Sequence, residues 1–136
     1  MEKGHEQKEQ QTNNDNTQTD VRYQFLFEHT NDAVAIYQPV EQGKNFVFVG
    51  FNKAAEQIEE LNRSEVVGRR LTDVFPIAEK SGSLALFQRV HQTGQKEHYP
   101  SKLYKDNQMT ASREGSIYRL PSHEIVAIYR ETPSNI

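Results

Sequence analysis

The sequence predicts an α+β fold: a five-stranded antiparallel sheet with helices covering one face and an N-terminal helix. Three observations carry this. Two apolar runs of strand length, Ala33–Tyr37 and Phe46–Phe51, come early in the chain. A helical middle follows, with apolar residues at three- and four-residue spacing. Three segments whose period tends towards two then close the chain. Strands grouped before and after a block of helices pair antiparallel and carry the helices on one side.

Order begins at Asp20, an N-cap for a short helix with Val21, Phe25, Leu26 and His29 on one side. Ala33–Tyr37 is the first strand, and Pro39–Lys44 with Gly43 form a loop. Phe46-Val-Phe-Val-Gly-Phe51, the second strand, reads as apolar on both faces, which requires cover on both. Asn52 caps a helix whose inward positions are Ala54, Ala55, Ile58 and Leu61. Ser64 opens a one-turn helix ending at Gly68, and Leu71–Phe75 is another, stopped by Pro76. Leu84, Phe87 and Val90 mark a helix from Ser83 to Thr93 closed by Gly94. The strands Lys96–Tyr104, Thr110–Leu120 and Glu124–Arg130 turn at Asp106-Asn107 and Pro121-Ser122.

The 136 residues allow one domain. Residues 1–20 hold five acids (Glu2, Glu6, Glu9, Asp15, Asp20) against two bases (Lys3, Lys8) and no large apolar side chain beyond Met1. Residues 1–19 thus read as a disordered polar leader, 20–132 as the folded domain and 133–136 as a short tail. The remainder of the chain is balanced, with 14 bases and 14 acids. A neutral body has no basic stripe for nucleic acid or an anionic membrane surface. No apolar run reaches the roughly 18–20 residues of a membrane span. The absence of Cys removes disulfides, thiolate metal sites and thiol nucleophiles, and fits a cytoplasmic protein. The five His show no metal-binding spacing, and Glu59-Glu60 read as solvated helix residues rather than a carboxylate pair. Nothing positive supports an enzyme.

Five segments, in order, resemble the PAS sensory domain. They are Asp32-Ala-Val-Ala-Ile, Phe48-Val-Gly-Phe-Asn52-Lys-Ala-Ala, Arg63-Ser-Glu-Val-Val-Gly68-Arg-Arg-Leu with Asp73-Val-Phe-Pro76, Phe87-Gln-Arg-Val-His-Gln-Thr-Gly94, and Glu124-Ile-Val-Ala-Ile-Tyr-Arg-Glu131. The resemblance covers residues 21–132. His123 departs from it, standing where the final hairpin usually has Gly, and Glu131-Thr-Pro133 replaces the usual exit into a signalling helix. The chain therefore reads either as an excised sensor or as a protein whose whole body is the sensor.

The resemblance implies a ligand cavity between the sheet and the helices. It also implies no cofactor: Leu71 aligns with the reactive Cys of the flavin photosensors, and the region where haem-binding members carry a His, Gly82–Gln88, has none. His91 and His98 read as surface or packing residues. Type I turns with a bulge at residue 123 would set Ile117 opposite Ile125, Gly115 opposite Ala127 and Arg113 opposite Tyr129. That register turns Arg113 towards the cavity, where it suits an anion, while a slip of one residue turns it to solvent. Ile58, Leu71, Phe75, Phe87 and Ile117 are core residues first and pocket wall second. The function so implied is a non-enzymatic signal-transduction sensory and dimerisation domain, feeding a histidine kinase or diguanylate cyclase module and binding a small, anionic ligand. The homodimer is expected through Val21, Phe25, Leu26 and the outer sheet face. The alternatives are a ligand-free interaction module of the same fold and a small cone-shaped α+β enzyme.

Overall fold

A computed structural model describes residues 18–105 and 108–133. These fall into two compact units that divide after Thr30. The first holds helix α1, residues 18–29. Asp20 thus lies within the helix rather than capping it, and residues 18 and 19, expected in the leader, are helical. Residues 1–17, the Asp106-Asn107 turn and residues 134–136 lie outside the described residues. On α1 the Phe25 and His29 rings stack at 4.0 Å, while Val21, Tyr23, Phe25 and Leu26 are all exposed. Among the described residues no helix is long and apolar enough to cross a membrane.

The second unit is a five-stranded antiparallel sheet in the order β2-β1-β5-β4-β3. The strands are β1 (Ala33–Val40), β2 (Asn45–Phe51), β3 (Glu97–Lys105), β4 (Gln108–Arg119) and β5 (Ile125–Pro133). Between β2 and β3 run α2 (Lys53–Glu59), α3 (Arg63–Val66), α4 (Leu71–Val74), α5 (Ala78–Ser81) and α6 (Ser83–Thr93). Helix α6 runs over the predicted residues and ends at Gly94, whose φ of 75° suits the left-handed closing position. Helix α3 begins one residue before Ser64, with Asn62 at its N-cap, so Ser64 is not the cap. Helix α5, a single turn after Pro76, was not expected.

Strand β2 corrects one reading. A bulge shifts the β1/β2 register between Ile36 and Tyr37, so that Ala35 faces Phe51 while Tyr37 faces Phe48. The extra residue, Val49, turns outward. Phe46, Phe48 and Phe51 all end buried, and the outer face keeps only Val47, Val49 and Gly50. The strand is therefore not equally apolar on its two faces.

The core lies on the helix-facing side. Tyr37 contacts Phe48 at 4.5 Å and Phe87 at 4.8 Å between ring centroids, and Phe75 meets Phe48 at 6.1 Å. Leu71, Phe87 and Ile117 are buried in this cluster, with Ile58 and Phe75 packed against it. The outward edge of β2 is covered. The Phe48 amide donates to the Arg69 carbonyl, the Gly68 amide donates to the Phe48 carbonyl, and the Phe46 amide donates to Asn45 Oδ1.

Asn52 joins β2 to α2 and ties both to β1. Its Oδ1 accepts from the Ala55 amide, the capping bond the sequence predicts, and also from the Val34 amide, each at 2.9 Å. Its Nδ2 donates to the Asp32 carbonyl at 3.0 Å.

Candidate functional site

The β4/β5 hairpin closes through the Leu120 amide donating to Glu124 and the His123 amide donating to Leu120. The turn holds Pro121-Ser122 at its centre and a left-handed His123 after it, as the sequence predicts, but the ladder it closes is paired two residues away from the expected register. Ile117 faces Ala127, Gly115 faces Tyr129 and Arg113 faces Glu131. The expected partners of Ile117, Gly115 and Arg113 are thus corrected. A slip of two leaves every side chain on its expected face, because strand side chains alternate with a period of two. Arg113 is four residues from the buried Ile117 and shares its inward face.

Arg113 does not reach into open space there. Its Nη1 lies 2.6 Å from Glu59 Oε1, and its Nε donates to Glu131 Oε2 at 3.1 Å. The Tyr129 hydroxyl donates to Glu59 Oε2 at 3.0 Å. Both oxygens of Glu59 are therefore held, one by β4 and one by β5. The Glu59 side chain is only 7% exposed, that of Arg113 21% and that of Glu131 32%. Reading Glu59 as a solvated residue is overturned.

The local causes are legible. Ala55 and Glu59 stand four apart on α2, so Glu59 stacks on the same side as the buried Ala55. That spacing is the signal that would have placed Glu59 inward. Gly115 leaves room for Tyr129 opposite it, and Glu131 is the cross-strand partner of Arg113. Burial pushes the Glu59 carboxyl above its ordinary range; the Arg113 charge and the Tyr129 hydrogen bond pull it down without cancelling that rise.

The remaining site residues lie elsewhere. Leu71, where flavin photosensors of the resembled family carry Cys, is buried in the core. His91 sits in the last turn of α6, 6.2 Å from the Phe46 ring and 6.3 Å from the His123 ring. His98 is exposed and lines an open groove of about 250 Å³ with Asp32, Glu114, Ser116, Tyr118 and Arg130.

No family model and no curated protein sequence matches the chain. Solved structures do. A domain of the sensory box sensor histidine kinase/response regulator from Geobacter sulfurreducens superposes with a TM-score of 0.63 at 21% identity, covering 82% of this chain and 93% of that one. The PAS domain of an HTR-like protein from Haloarcula marismortui gives 0.61 at 18% identity, covering 90% and 98%. A LOV protein of Rhodobacter sphaeroides gives 0.60 at 10% identity, covering 78% of this chain and 62% of that one. The fold of this chain is the PAS fold.

Proposed function

We propose that this chain is a non-enzymatic sensory and dimerisation domain of a cytoplasmic signalling protein, reading a small anionic ligand at Arg113 and Tyr129. The observation that carries this reading is a guanidinium on the helix-facing side of a PAS sheet whose side chain still reaches solvent. A guanidinium offers planar paired donors that suit a carboxylate. Ile58, Leu71, Phe75, Phe87 and Ile117 supply the apolar wall. With no Cys in the chain, flavin adduct chemistry has no nucleophile, and the reading needs no cofactor. The output module in this reading is a kinase or cyclase, as in the histidine kinase that contains the similar Geobacter domain. The homodimer forms through α1, where Val21, Phe25 and Leu26 are exposed, and the outer sheet face.

The test is a formate titration followed through the backbone amide resonances of β4 and β5, with the Arg113 side-chain N–H resonances read as well in the wild type. Formate should shift them in the wild type and fail to bind the Glu59→Gln/Arg113→Gln double variant, which leaves no charge stranded. Equal affinity in both would overturn the anion site. For the dimer, wild type should sediment as a dimer at tens of micromolar and Phe25→Glu as a monomer; a monomeric wild type would refute it.

A second reading has its own observation. Arg113 is already satisfied by two carboxylates, and aromatic rings interlock across the core. Both fit a ligand-free interaction module. Native mass spectrometry that finds a co-purified small molecule would decide against it.

A further inference from the structure

The Glu59 carboxylate occupies the place an anionic ligand would take. It receives Arg113 Nη1 on one oxygen and the Tyr129 hydroxyl on the other, the paired contacts a small carboxylate needs. We propose that Glu59 is a resident stand-in for the ligand: an incoming carboxylate exchanges with it on Arg113 and Tyr129, and Glu59 takes up one proton from solvent as it gives way. This deepens the reading of Arg113 as an anion site and rests on it.

Charge counting around one guanidinium supports the exchange. The groups facing Glu59 are Arg113 from β4 and Tyr129 and Glu131 from β5. Glu59 and Glu131 already place two carboxylates on one cation. A third anion would leave two uncompensated negative charges in a partly desolvated corner, which is costly. One carboxylate must be neutralised, and Glu59 is the more buried of the two. Burial also pushes its carboxyl above the ordinary range, which favours taking up the proton. Access also fits, since Arg113 and Glu131 meet solvent while Glu59 lies behind them. Exchange frees the last turn of α2, because Glu59 is the final residue of that helix and its carboxylate ties it to β4 and β5. Ligand binding would thus be read as release of the α2 end from the sheet, and as a gain of one proton.

The experiment uses formate, which stays ionised throughout, at constant ionic strength. In the wild type, affinity should rise as pH is lowered, by at most about tenfold per pH unit, the limiting slope of one coupled proton. At saturation the Glu59 carboxyl-carbon resonance should move to the neutral-acid position. Glu59→Gln should bind formate more tightly than wild type at about pH 8, with no such slope. A flat wild-type profile, a slope retained in Glu59→Gln, or a Glu59 still ionised at saturation would overturn the exchange. If formate shifts Arg113 without a slope, the anion site stands and only the exchange fails. If formate moves Arg113 in neither protein, the anion site fails as well.

Discussion

Tyr129 lies directly across from Gly115 in the β4/β5 ladder, and only a residue without a side chain fits there. A Cβ at position 115 would stand 2.5 Å from the Ile128 carbonyl oxygen and 2.6 Å from Tyr129 Cβ. The room beside Gly115 is taken by Tyr129, whose hydroxyl holds Glu59. Because the obstacle is backbone, Gly115→Ala should cost about 2 kcal/mol, as overpacking does. Urea unfolding would show it as a lowered midpoint; an unchanged midpoint would mean the strands separate freely there.

Asn52 does more than cap α2, and its variants should reveal this. Asn52→Ala leaves the buried Ala55 amide, the half-buried Val34 amide and the Asp32 carbonyl without this partner, at a cost of about 3 kcal/mol. Capping alone would make Asn52→Asp nearly neutral. Because Nδ2 donates to Asp32, Asp would instead set an oxygen against a carbonyl oxygen, and the loss should be comparable to that of Ala. Chemical denaturation of both variants is the check, and a neutral Asp variant would show that the bond to Asp32 contributes little.

Arg113→Ala should destabilise by about 3 kcal/mol, since it strands a buried carboxylate, with partial exposure of Arg113 keeping the loss at the lower end of the range. Adding Glu59→Gln should recover at least about 1 kcal/mol of this. Additive losses in that cycle would mean the two side chains are not energetically coupled.

The Glu59 carboxyl is raised above its ordinary value of 4.5 in the folded chain, so the folded state holds its proton more tightly than the unfolded one. Its contribution to stability is complete below that ordinary value and is lost as pH rises through the folded pKa. The difference in unfolding free energy between wild type and Glu59→Gln should therefore fall as pH rises from about 4.5 towards neutrality. A difference that rises over that window would contradict the burial of Glu59.

His123 adopts φ 73°, a left-handed backbone that favours Gly. His123→Gly should raise stability by about 1 kcal/mol, read as an increased melting temperature. A loss instead would mean that the His91–His123 ring contact outweighs the backbone strain.

The sequence marked all five strands and the full length of α6, because alternation, apolar spacing and a closing Gly are local signals. Local signals leave the face of Arg113 open, since a slip of one residue would have turned it to solvent. They do not set the offset between strands. That was decided by how the turn at Leu120–Glu124 closes, and Arg113 therefore met Glu131 rather than Tyr129. The pairing of Glu59 with Arg113 joins residues far apart in the chain, and a lone Glu on a helix carries no mark of a distant partner. The Val49 bulge was equally hidden, since three phenylalanines in a run of six do not announce that all turn the same way.

The covered edge of β2 limits how this sheet can grow. The outward amides of Phe46 and Phe48 are both engaged by the chain itself, so among the described residues β3 is the edge left for another strand. A fibre requires two open edges on every copy, one to give and one to receive. With a single open edge, strand pairing between copies can only bring β3 to β3, and it is complete after two. The local contacts that hold the helices onto β2 thus make linear polymerisation through the sheet self-terminating.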